Sequence, residues 1–411
     1  MNNVFIQSNG CAVLLHETER IAKYFSLNGW TIVENAEQAQ IVVMTCCGVT
    51  QHEEDEAIVK IQVLEAKRMR GSRFIVSGCM PAFARDRVLD SAPQADILTY
   101  QELAMLDGII GATVPFDSVY YNSRPSLILD KEQMTEDDDL CLMRQIDKRH
   151  NTHLCEQAWE FSTLRKYMWQ DGKTFQIKVS YGCPGNCSYC ATKLGIGNFR
   201  SVDKKWVMRQ FMEGIEQGYT RFLLIGDEIG AYGRDIGSSL PDLLQKMYEL
   251  SKGQVYIAIR YIHPDIFVAL YERLKPFFVS GFVNYFCCAI QSGSAEILRR
   301  MNRNPRIEPF IQCMEDMNRQ QFNVNKHSQI IVGFPGETAQ DFLLTMDALR
   351  RCKFDHININ LYSPRKHTNA WNMPDDVPEE QKKFRAQMIR EIMKLHKKTL
   401  LYETIKKIEL L

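Results

Sequence analysis

The sequence contains no long apolar run, since no stretch approaches the roughly 18 to 20 consecutive apolar residues of a membrane-spanning helix. Its start, MNNVFIQSNG, lacks the basic and apolar regions of a secretory signal. An excess of charge is also absent, because 50 basic residues balance 50 acidic ones. Because the protein has no overall positive electrostatic field, nucleic acid could be attracted only by a local basic patch. These absences predict a soluble cytosolic protein without a membrane partner.

Internal repeats and low-complexity tracts are absent too, and 411 residues with 45% hydrophobic content predict two or three globular domains. Over residues 1–115 the apolar runs NVFIQS, QIVVMT and SRFIVSG alternate with helix-like stretches at 17–27 and 55–69. That alternation predicts an α/β domain of flavodoxin or Rossmann type, with a parallel sheet covered by helices. Residues 116–172 have a weaker pattern and an acidic run, EQMTEDDD, which predicts a linker with a helical excursion.

Six apolar runs follow over residues 173–375: QIKVS, RFLLIG, QVYIAIR, VNYFCCAI, SQIIVGF and HININLY. Helix-like segments lie between them, including residues 204–217, 240–250, 295–301 and 339–351. This order predicts a partial (βα)6 barrel of the TIM type. Residues 376–411 contain a long amphipathic, charge-rich helix, predicted from about residue 379 to 407.

In a reducing compartment the 13 cysteines are not expected to form a disulfide framework, so the clustered ones are better explained as metal ligands or catalytic groups. Six of them stand singly or beside apolar residues and are expected to be small buried side chains: Cys141, Cys155, Cys287, Cys288, Cys313 and Cys352. Cys183, Cys187 and Cys190 are different, because they follow the first predicted barrel strand as Cys-x3-Cys-x2-Cys. A zinc site would need a fourth ligand, whereas three thiolates on a [4Fe–4S] cubane leave one iron open.

This loop resembles that of radical S-adenosylmethionine enzymes, in which the open iron chelates the methionine moiety and reductive cleavage releases a 5′-deoxyadenosyl radical. Cysteines also follow strands of the first domain, namely Cys11, the pair Cys46 and Cys47, and Cys79. The ends of parallel strands share one edge of a sheet, so these thiols are expected to meet there and to hold a second cluster. The doubled cysteine leaves open whether Cys46 or Cys47 is the ligand.

The whole chain resembles the methylthiotransferases, radical enzymes that place a methylthio group on tRNA adenosines or a ribosomal-protein aspartate. SNGC, TCCGVT and SGCM match their first domain. Six barrel blocks follow in the family's order: GCPGNCSYCATKLGIGNFRS, IGDEIGAYGRDIG, RYIHP, IQSGSAEILRRMNR, IIVGFPGETAQDF and LYSPRKHTNAWNMP. The resemblance implies two [4Fe–4S] clusters, on Cys11, Cys47 and Cys79 and on Cys183, Cys187 and Cys190, together with S-adenosylmethionine and a low-potential donor such as flavodoxin or ferredoxin.

The resemblance also implies which residues contact the cofactor. Tyr189 is expected near the adenine, Gly226 beside the methionine moiety, and Gln291 and Ser292 at the barrel mouth. The turn GFPGET is expected to offer free amides to polar cofactor groups. The implied set is Tyr189, Gly226, Asp227, Arg260, Gln291, Ser292 and Gly333. Arg303 and Arg365 are expected to be solvated charges at the barrel rim.

The sequence departs from the family pattern at three places, the last of which bears on the substrate. Ile196 precedes Gly197 where many members have arginine, and Gln329 replaces a common acidic residue. The basic, strand-patterned TRAM domain that grips the substrate does not follow the last helix before Leu411. Because phosphate contacts dominate RNA affinity, a peptide or protein substrate, such as a ribosomally made precursor peptide, is favoured over tRNA.

The implied reaction uses two S-adenosylmethionine molecules. One methylates sulfur at the auxiliary cluster, and the other supplies the radical that removes hydrogen from an unactivated C–H, where the methylthio group is placed. Two alternatives stay open. One is a radical enzyme whose auxiliary cluster transfers electrons or inserts sulfur without methylation. The other is a scaffold protein with zinc in both sites.

Overall fold

The N-terminal α/β part of the chain contains a five-stranded parallel sheet in the order β2-β1-β3-β4-β5. The computed structural model describes residues 2–10, 12–48, 50–119 and 174–393. Within them the strands are β1 (Asn3–Ser8), β2 (Thr31–Ile32), β3 (Ile41–Cys46), β4 (Arg73–Gly78) and β5 (Asp96–Thr99). The helices are α1 (Ala12–Leu27), α2 (Gln51–Lys67), α3 (Arg85–Ser91) and α4 (Leu106–Ile110).

The three predicted strands of this sheet are confirmed as β1, β3 and β4. All six residues of the central β3 are buried, which explains its unbroken apolar sequence IVVMTC. Helix α2 begins at Gln51, four residues before the predicted stretch, because the Thr50 side chain accepts from the amide of Glu53 and the Glu53 carboxylate accepts from the amide of Thr50. The short strands β2 and β5 were not predicted from the sequence.

A second parallel sheet of six strands has the order β13-β12-β11-β10-β9-β6. Its strands are β6 (Phe175–Lys178), β9 (Arg221–Ile225), β10 (Tyr256–Ile262), β11 (Val283–Cys288), β12 (Asn325–Val332) and β13 (His356–Leu361). They coincide with the six predicted apolar runs, so the predicted mixed α/β fold with two parallel sheets is confirmed. A small antiparallel ladder pairs β7 (Ser180–Tyr181) with β8 (Arg200–Ser201).

Seven helices accompany these strands in the described region: α5 (Thr192–Ile196), α6 (Lys204–Glu216), α7 (Leu240–Ser251), α8 (Pro264–Val279), α9 (Ala295–Arg300), α10 (Glu308–Arg319) and α11 (Ala339–Cys352). Residues 379–393 form a further helix, while the part predicted beyond residue 393 lies outside the described residues. Cys11 and residues 120–173, most of the predicted linker, also lie outside them. Among the described helices none is long and apolar enough to cross a membrane.

Helices α8 and α10 are joined by a carboxylate network around Asp316. Its Oδ2 accepts from the Tyr271 hydroxyl at 2.7 Å and from Lys275 Nζ at 2.8 Å. Arg319 and Gln320 donate to its Oδ1, each at 2.8 Å. Hydrogen bonds from Lys275, Tyr271 and Arg319 hold the pKa of Asp316 well below its usual range. The carboxylate therefore stabilises the folded chain.

Replacing Asp316 by asparagine is expected to lower the free energy of unfolding by about 1 kcal/mol at neutral pH, because charge-assisted bonds are lost. A carboxyl with a lowered folded pKa contributes fully above its unfolded value, so the deficit should persist down to about pH 4 and shrink only below it. Urea unfolding at pH 7 and at acidic pH measures this. Asp347→Asn removes an exposed pair with Arg350 and serves as the control, with an expected loss below ~0.5 kcal/mol.

Candidate active site

The thiols of Cys183, Cys187 and Cys190 lie on the irregular segment between β7 and α5, and all three residues are half-buried. The amide of Gly185 donates to Cys183 Sγ at 3.3 Å, and the amide of Cys190 donates to the Cys187 carbonyl at 3.2 Å. Cys46, Cys47, Cys79, Cys287, Cys288 and Cys352 are in contrast buried. The loop therefore presents three thiols that a cofactor can reach.

Ser188, between the second and third of these cysteines, anchors the loop. Its amide donates to the Met301 carbonyl at 2.9 Å and its hydroxyl to the Arg300 carbonyl at 2.8 Å. The amide of Ala370 donates to the Ser188 carbonyl at 2.7 Å. Because Ser188 is buried, these bonds form away from bulk water and fix the loop to the end of α9. The thiols are thus positioned by a rigid support.

Two carboxylates follow β9 next to this loop. Asp227 Oδ2 accepts from the amide of Gly182 at 2.8 Å, so this predicted cofactor residue supports the turn before Cys183. Glu228 is buried and accepts from the amides of Gly230 at 3.0 Å and His263 at 2.9 Å. Burial raises the pKa of Glu228 to about 8. Sequence reasoning did not single out Glu228, although an acidic residue inside the apolar motif IGDEIG was a usable signal.

Burial also raises the pKa of the Cys183 thiol to about 12, and the nearby Glu228 carboxylate acts in the same direction. The pKa of Cys190 is raised mainly by burial as well. Thiolates bind metals and thiols do not, so iron has to displace protons when it binds to this loop.

Within the described residues, no group of three or more His, Cys, Asp or Glu side chains is arranged to hold a metal ion. A zinc ion requires its ligands in one coordination sphere, at about 2.0 to 2.3 Å from a single centre. In a cubane each thiolate binds a different iron, so the sulfurs need not converge on one point. The three thiols of the Cys183, Cys187 and Cys190 loop match the number of protein ligands that such a cluster takes when one iron is left open.

Arg303 and Arg365 are not the solvated rim charges that were expected from the sequence. Arg303 is half-buried, and its Nη1 lies 3.6 Å from Cys187 Sγ and 3.3 Å from the Tyr189 hydroxyl. Arg365, for which the same was expected, is buried. The ring of Tyr189 packs against an apolar cluster that contains Phe334, with ring centroids 6.3 Å apart.

The remaining predicted cofactor contacts have mixed environments. Arg260 is buried on β10. Gln291 is also buried, and its φ of 65° is a backbone conformation that residues other than glycine rarely adopt. Gln291 Oε1 is enclosed without a hydrogen-bond partner in the described structure, which leaves it available to a ligand. Ser292 Oγ instead lies 3.2 Å from Thr345 Oγ1, inside the protein.

The turn GFPGET does not offer the free amides that were expected at two of its positions. The amide of Gly333 donates to Glu337 Oε2 at 2.7 Å, and the amide of Gly336 donates to Asp376 Oδ1 at 2.7 Å. Arg385 on the helix at 379–393 pairs with the same Glu337 carboxylate at 2.6 Å, and both side chains are buried. The turn is therefore stabilised by carboxylates of the protein itself.

Gly226 ends β9 at a point where a side chain does not fit, since a Cβ there would overlap the Ser180 hydroxyl. Gly226→Ala is expected to lower stability by about 1 to 3 kcal/mol through overpacking. The double variant Ser180→Ala with Gly226→Ala removes the overlapping hydroxyl and should regain most of this loss. Melting temperature and S-adenosylmethionine binding by calorimetry are the measurements.

The double variant separates two roles of Gly226. If the glycine also lets the cofactor approach the backbone, stability returns while cofactor affinity stays reduced. Recovery of both would contradict the predicted cofactor contact and leave packing against Ser180 as the reason for the glycine. Ser180→Ala alone is the matched control.

At the N-terminal sheet, the ends of β3 and β4 bring two cysteine turns together. Cys46 pairs with Gly78 in the sheet, and the amide of Cys79 donates to the Cys46 carbonyl at 3.1 Å. The amide of Cys47 donates to Asn9 Oδ1 at 2.9 Å, which links this turn to the end of β1. The predicted common edge of the three strands is thus present, while Cys11 lies outside the described residues.

Comparison with known proteins matches residues 177–349 to the Radical SAM superfamily and residues 3–99 to Uncharacterized protein family UPF0004. A relative from Pyrococcus horikoshii, named a probable threonylcarbamoyladenosine tRNA methylthiotransferase, is 29% identical over 371 residues, covering 90% of this chain and 79% of the relative. One from Thermotoga petrophila, named tRNA-2-methylthio-N(6)-dimethylallyladenosine synthase, is 27% identical over 95% of this chain and 81% of its own length.

Among solved structures, the radical S-adenosylmethionine methyltransferase TsrM from Kitasatospora setae is similar with a TM-score of 0.60. The likeness covers 90% of this chain and 75% of that one, at 10% sequence identity. The cobalamin-dependent radical enzyme OxsB is similar with a TM-score of 0.52, at 13% identity over 90% of this chain and 54% of that one. At such identities the likeness establishes the fold alone.

The superfamily match covers the thiol loop and strands β9 to β12, so this part of the chain is a radical S-adenosylmethionine domain, and the solved neighbours share its fold. The N-terminal match and the named relatives narrow the class. Over at least 90% of its length the chain is similar to proteins named as tRNA methylthiotransferases, the family that its sequence motifs predicted. The Radical SAM match implies a [4Fe–4S] cluster and S-adenosylmethionine.

Proposed function

We propose that this protein replaces an unactivated C–H by C–SCH3 with the help of two [4Fe–4S] clusters. Cys183, Cys187 and Cys190 are proposed to bind one cluster, and Cys11, Cys47 and Cys79 the other. The observation that carries the proposal is the thiol loop, whose three cysteines are half-buried on a support fixed by Ser188. Their spacing leaves one iron of a cubane without a protein ligand.

When bound, the clusters and S-adenosylmethionine supply the electron, the radical and the methylthio group. The contribution of the chain is to position them and exclude water. Ser188 and Asp227 fix the thiol loop. Tyr189 packs on an apolar cluster, which forms a water-excluding surface beside the loop. Gln291 Oε1, buried with no partner in the described part, is proposed to accept a hydrogen bond from the cofactor. The remaining proposed contacts are Gly226, Arg260, Ser292 and Gly333.

As substrate we propose a tRNA adenosine. The relatives from Pyrococcus horikoshii and Thermotoga petrophila are named as tRNA methylthiotransferases, and the alignments cover 90% and 95% of this chain. The preference for a peptide inferred from sequence gains no support from these relatives. It remains the competing outcome of the experiment, because neutral net charge gives no general attraction to RNA.

The test is mass spectrometry of total tRNA nucleosides and of peptides from the native host, with and without the gene, after feeding methyl-labelled methionine. Loss of a labelled methylthioadenosine in the deletion strain is expected. Complementation with the wild-type gene or with Cys313→Ala, a cysteine outside both sites, should restore it, and complementation with Cys183→Ala should not. Unchanged nucleosides with a missing labelled peptide would establish the peptide substrate instead.

A further inference from the structure

Arg303 makes a three-point contact at the thiol loop. Its Nη1 donates to Cys187 Sγ at 3.6 Å and to the Tyr189 hydroxyl at 3.3 Å, while its Nη2 donates to the Ala289 carbonyl at 2.7 Å. The guanidinium plane is rigid, so anchoring one nitrogen on a carbonyl fixes the direction of the other. The contact with the cysteine sulfur is therefore set by geometry and not by a mobile side chain.

The backbone around Arg303 supports this placement. Its amide donates to the Leu298 carbonyl at 2.8 Å just after α9, and the preceding Asn302 has φ of 54°. The Asn302 side chain donates to the Asn186 carbonyl, next to Cys187, at 2.7 Å. The segment that follows α9 is thus joined to the thiol loop through the Asn186 carbonyl and the Cys187 sulfur, in addition to the bond between the Ser188 amide and the Met301 carbonyl.

Within the described residues no carboxylate lies at ion-pair distance from Arg303, and the buried Glu228 carboxylate interacts with it only at longer range. Its polar contacts are a sulfur, a hydroxyl and a carbonyl. A half-buried guanidinium without a carboxylate is costly to desolvate unless another anion is close. An iron-bound cysteine sulfur is such an anion, and Cys187 is placed to provide it.

We propose that Arg303 is the counter-charge of the cluster on Cys183, Cys187 and Cys190, donating a charge-assisted hydrogen bond to the Cys187 sulfur and raising the reduction potential of that cluster. This inference rests on the cysteine ligation proposed above. Hydrogen bonds to cluster sulfurs and nearby charge set the potential of iron–sulfur centres. The reduced cluster carries one more negative charge, so a fixed cation beside it favours reduction. Arg303 is accordingly a positioning residue and makes no bond to the substrate.

The test is an EPR-monitored redox titration of anaerobically reconstituted protein without substrate, for wild type, Arg303→Met, Arg303→Lys and the control Arg299→Met. Arg299 is an exposed arginine four positions earlier, so its replacement changes net charge equally without touching the loop. In Arg303→Met we expect an at least tenfold lower ratio of reduced to oxidised cluster at a fixed potential, equivalent to a shift of about 59 mV to more negative values. Arg303→Lys keeps the charge but cannot span Ala289 and Cys187 together, so a smaller shift of the same sign is expected.

Iron content and the melting temperature of each variant accompany the titration. A wild-type midpoint in any folded, iron-replete variant at position 303 would overturn the proposal. Loss of iron uptake by Arg303→Met at an unchanged melting temperature, with Arg299→Met still loaded, would support it, because the cation then stabilises the anionic cluster itself. If Arg303→Met does not fold, Arg303→Lys decides by the same criterion. A wild-type protein without a cubane signal overturns the ligand assignment, and this proposal with it.

Discussion

Cys183→Ala is expected to lose all detectable 5′-deoxyadenosine production. With only Cys187 and Cys190 left, the cubane lacks a third protein ligand, and the electron that cleaves the sulfonium has no source. The measurement is chromatographic detection of 5′-deoxyadenosine after incubation of the anaerobic protein with dithionite and S-adenosylmethionine. Iron is counted in parallel, since the wild type should bind about eight irons per chain and the variant about four.

The control for this variant is Cys313→Ala. Cys313 is also half-buried, but it lies on α10, away from the thiol loop. It should keep wild-type iron and cleavage activity. Full activity in Cys183→Ala would contradict the ligand assignment, and stoichiometric zinc in place of iron in the wild type would revive the alternative of a non-catalytic metal protein.

The positions of the strands could be predicted from the sequence because each strand is marked by a local run of apolar residues. Each of the six strands of the second sheet is an apolar run bounded by polar or glycine residues, and all six lie where expected. Helix α10 was not identified, although Phe310, Ile311, Met314 and Met317 form a buried stripe at helical spacing. Helix α8 is harder to recognise, because it is apolar on several sides and has Pro276 in its interior.

The site was predictable only where its residues are close in sequence. The Cys-x3-Cys-x2-Cys spacing identified the thiol loop, but Arg303 reaches Cys187 across 116 positions. Charge and neighbours in sequence gave no indication of that contact, which depends on how α9 packs beside the loop. The GFPGET turn shows the same limitation, because the carboxylate that accepts from Gly336 belongs to Asp376, 40 positions later.

The second large effect is expected at the auxiliary site, where substitutions of Cys47 and Cys46 should have different consequences. Cys47→Ala is expected to lose the auxiliary cluster, about four of the eight irons, and all methylthio product, while 5′-deoxyadenosine is still formed. Cys46→Ala is expected to keep both iron and product. Both residues are buried, so the two substitutions remove similar contacts and control for each other. Iron analysis and labelled-product mass spectrometry on the purified variants are the measurements.

The contact made by the Cys46 side chain supports the proposal that Cys47, and not Cys46, is the ligand of the auxiliary cluster. The Sγ of Cys46 lies 3.9 Å from the Met44 carbonyl of its own strand, and burial raises the pKa of its thiol well above the usual range. A thiol held in this way has to leave its strand contact before it can bind iron. Cys47 lies one residue beyond the end of β3, with its amide bound to Asn9. Loss of the cluster in Cys46→Ala but not in Cys47→Ala would reverse the assignment, and retention in both would mean that no cluster is bound through this turn.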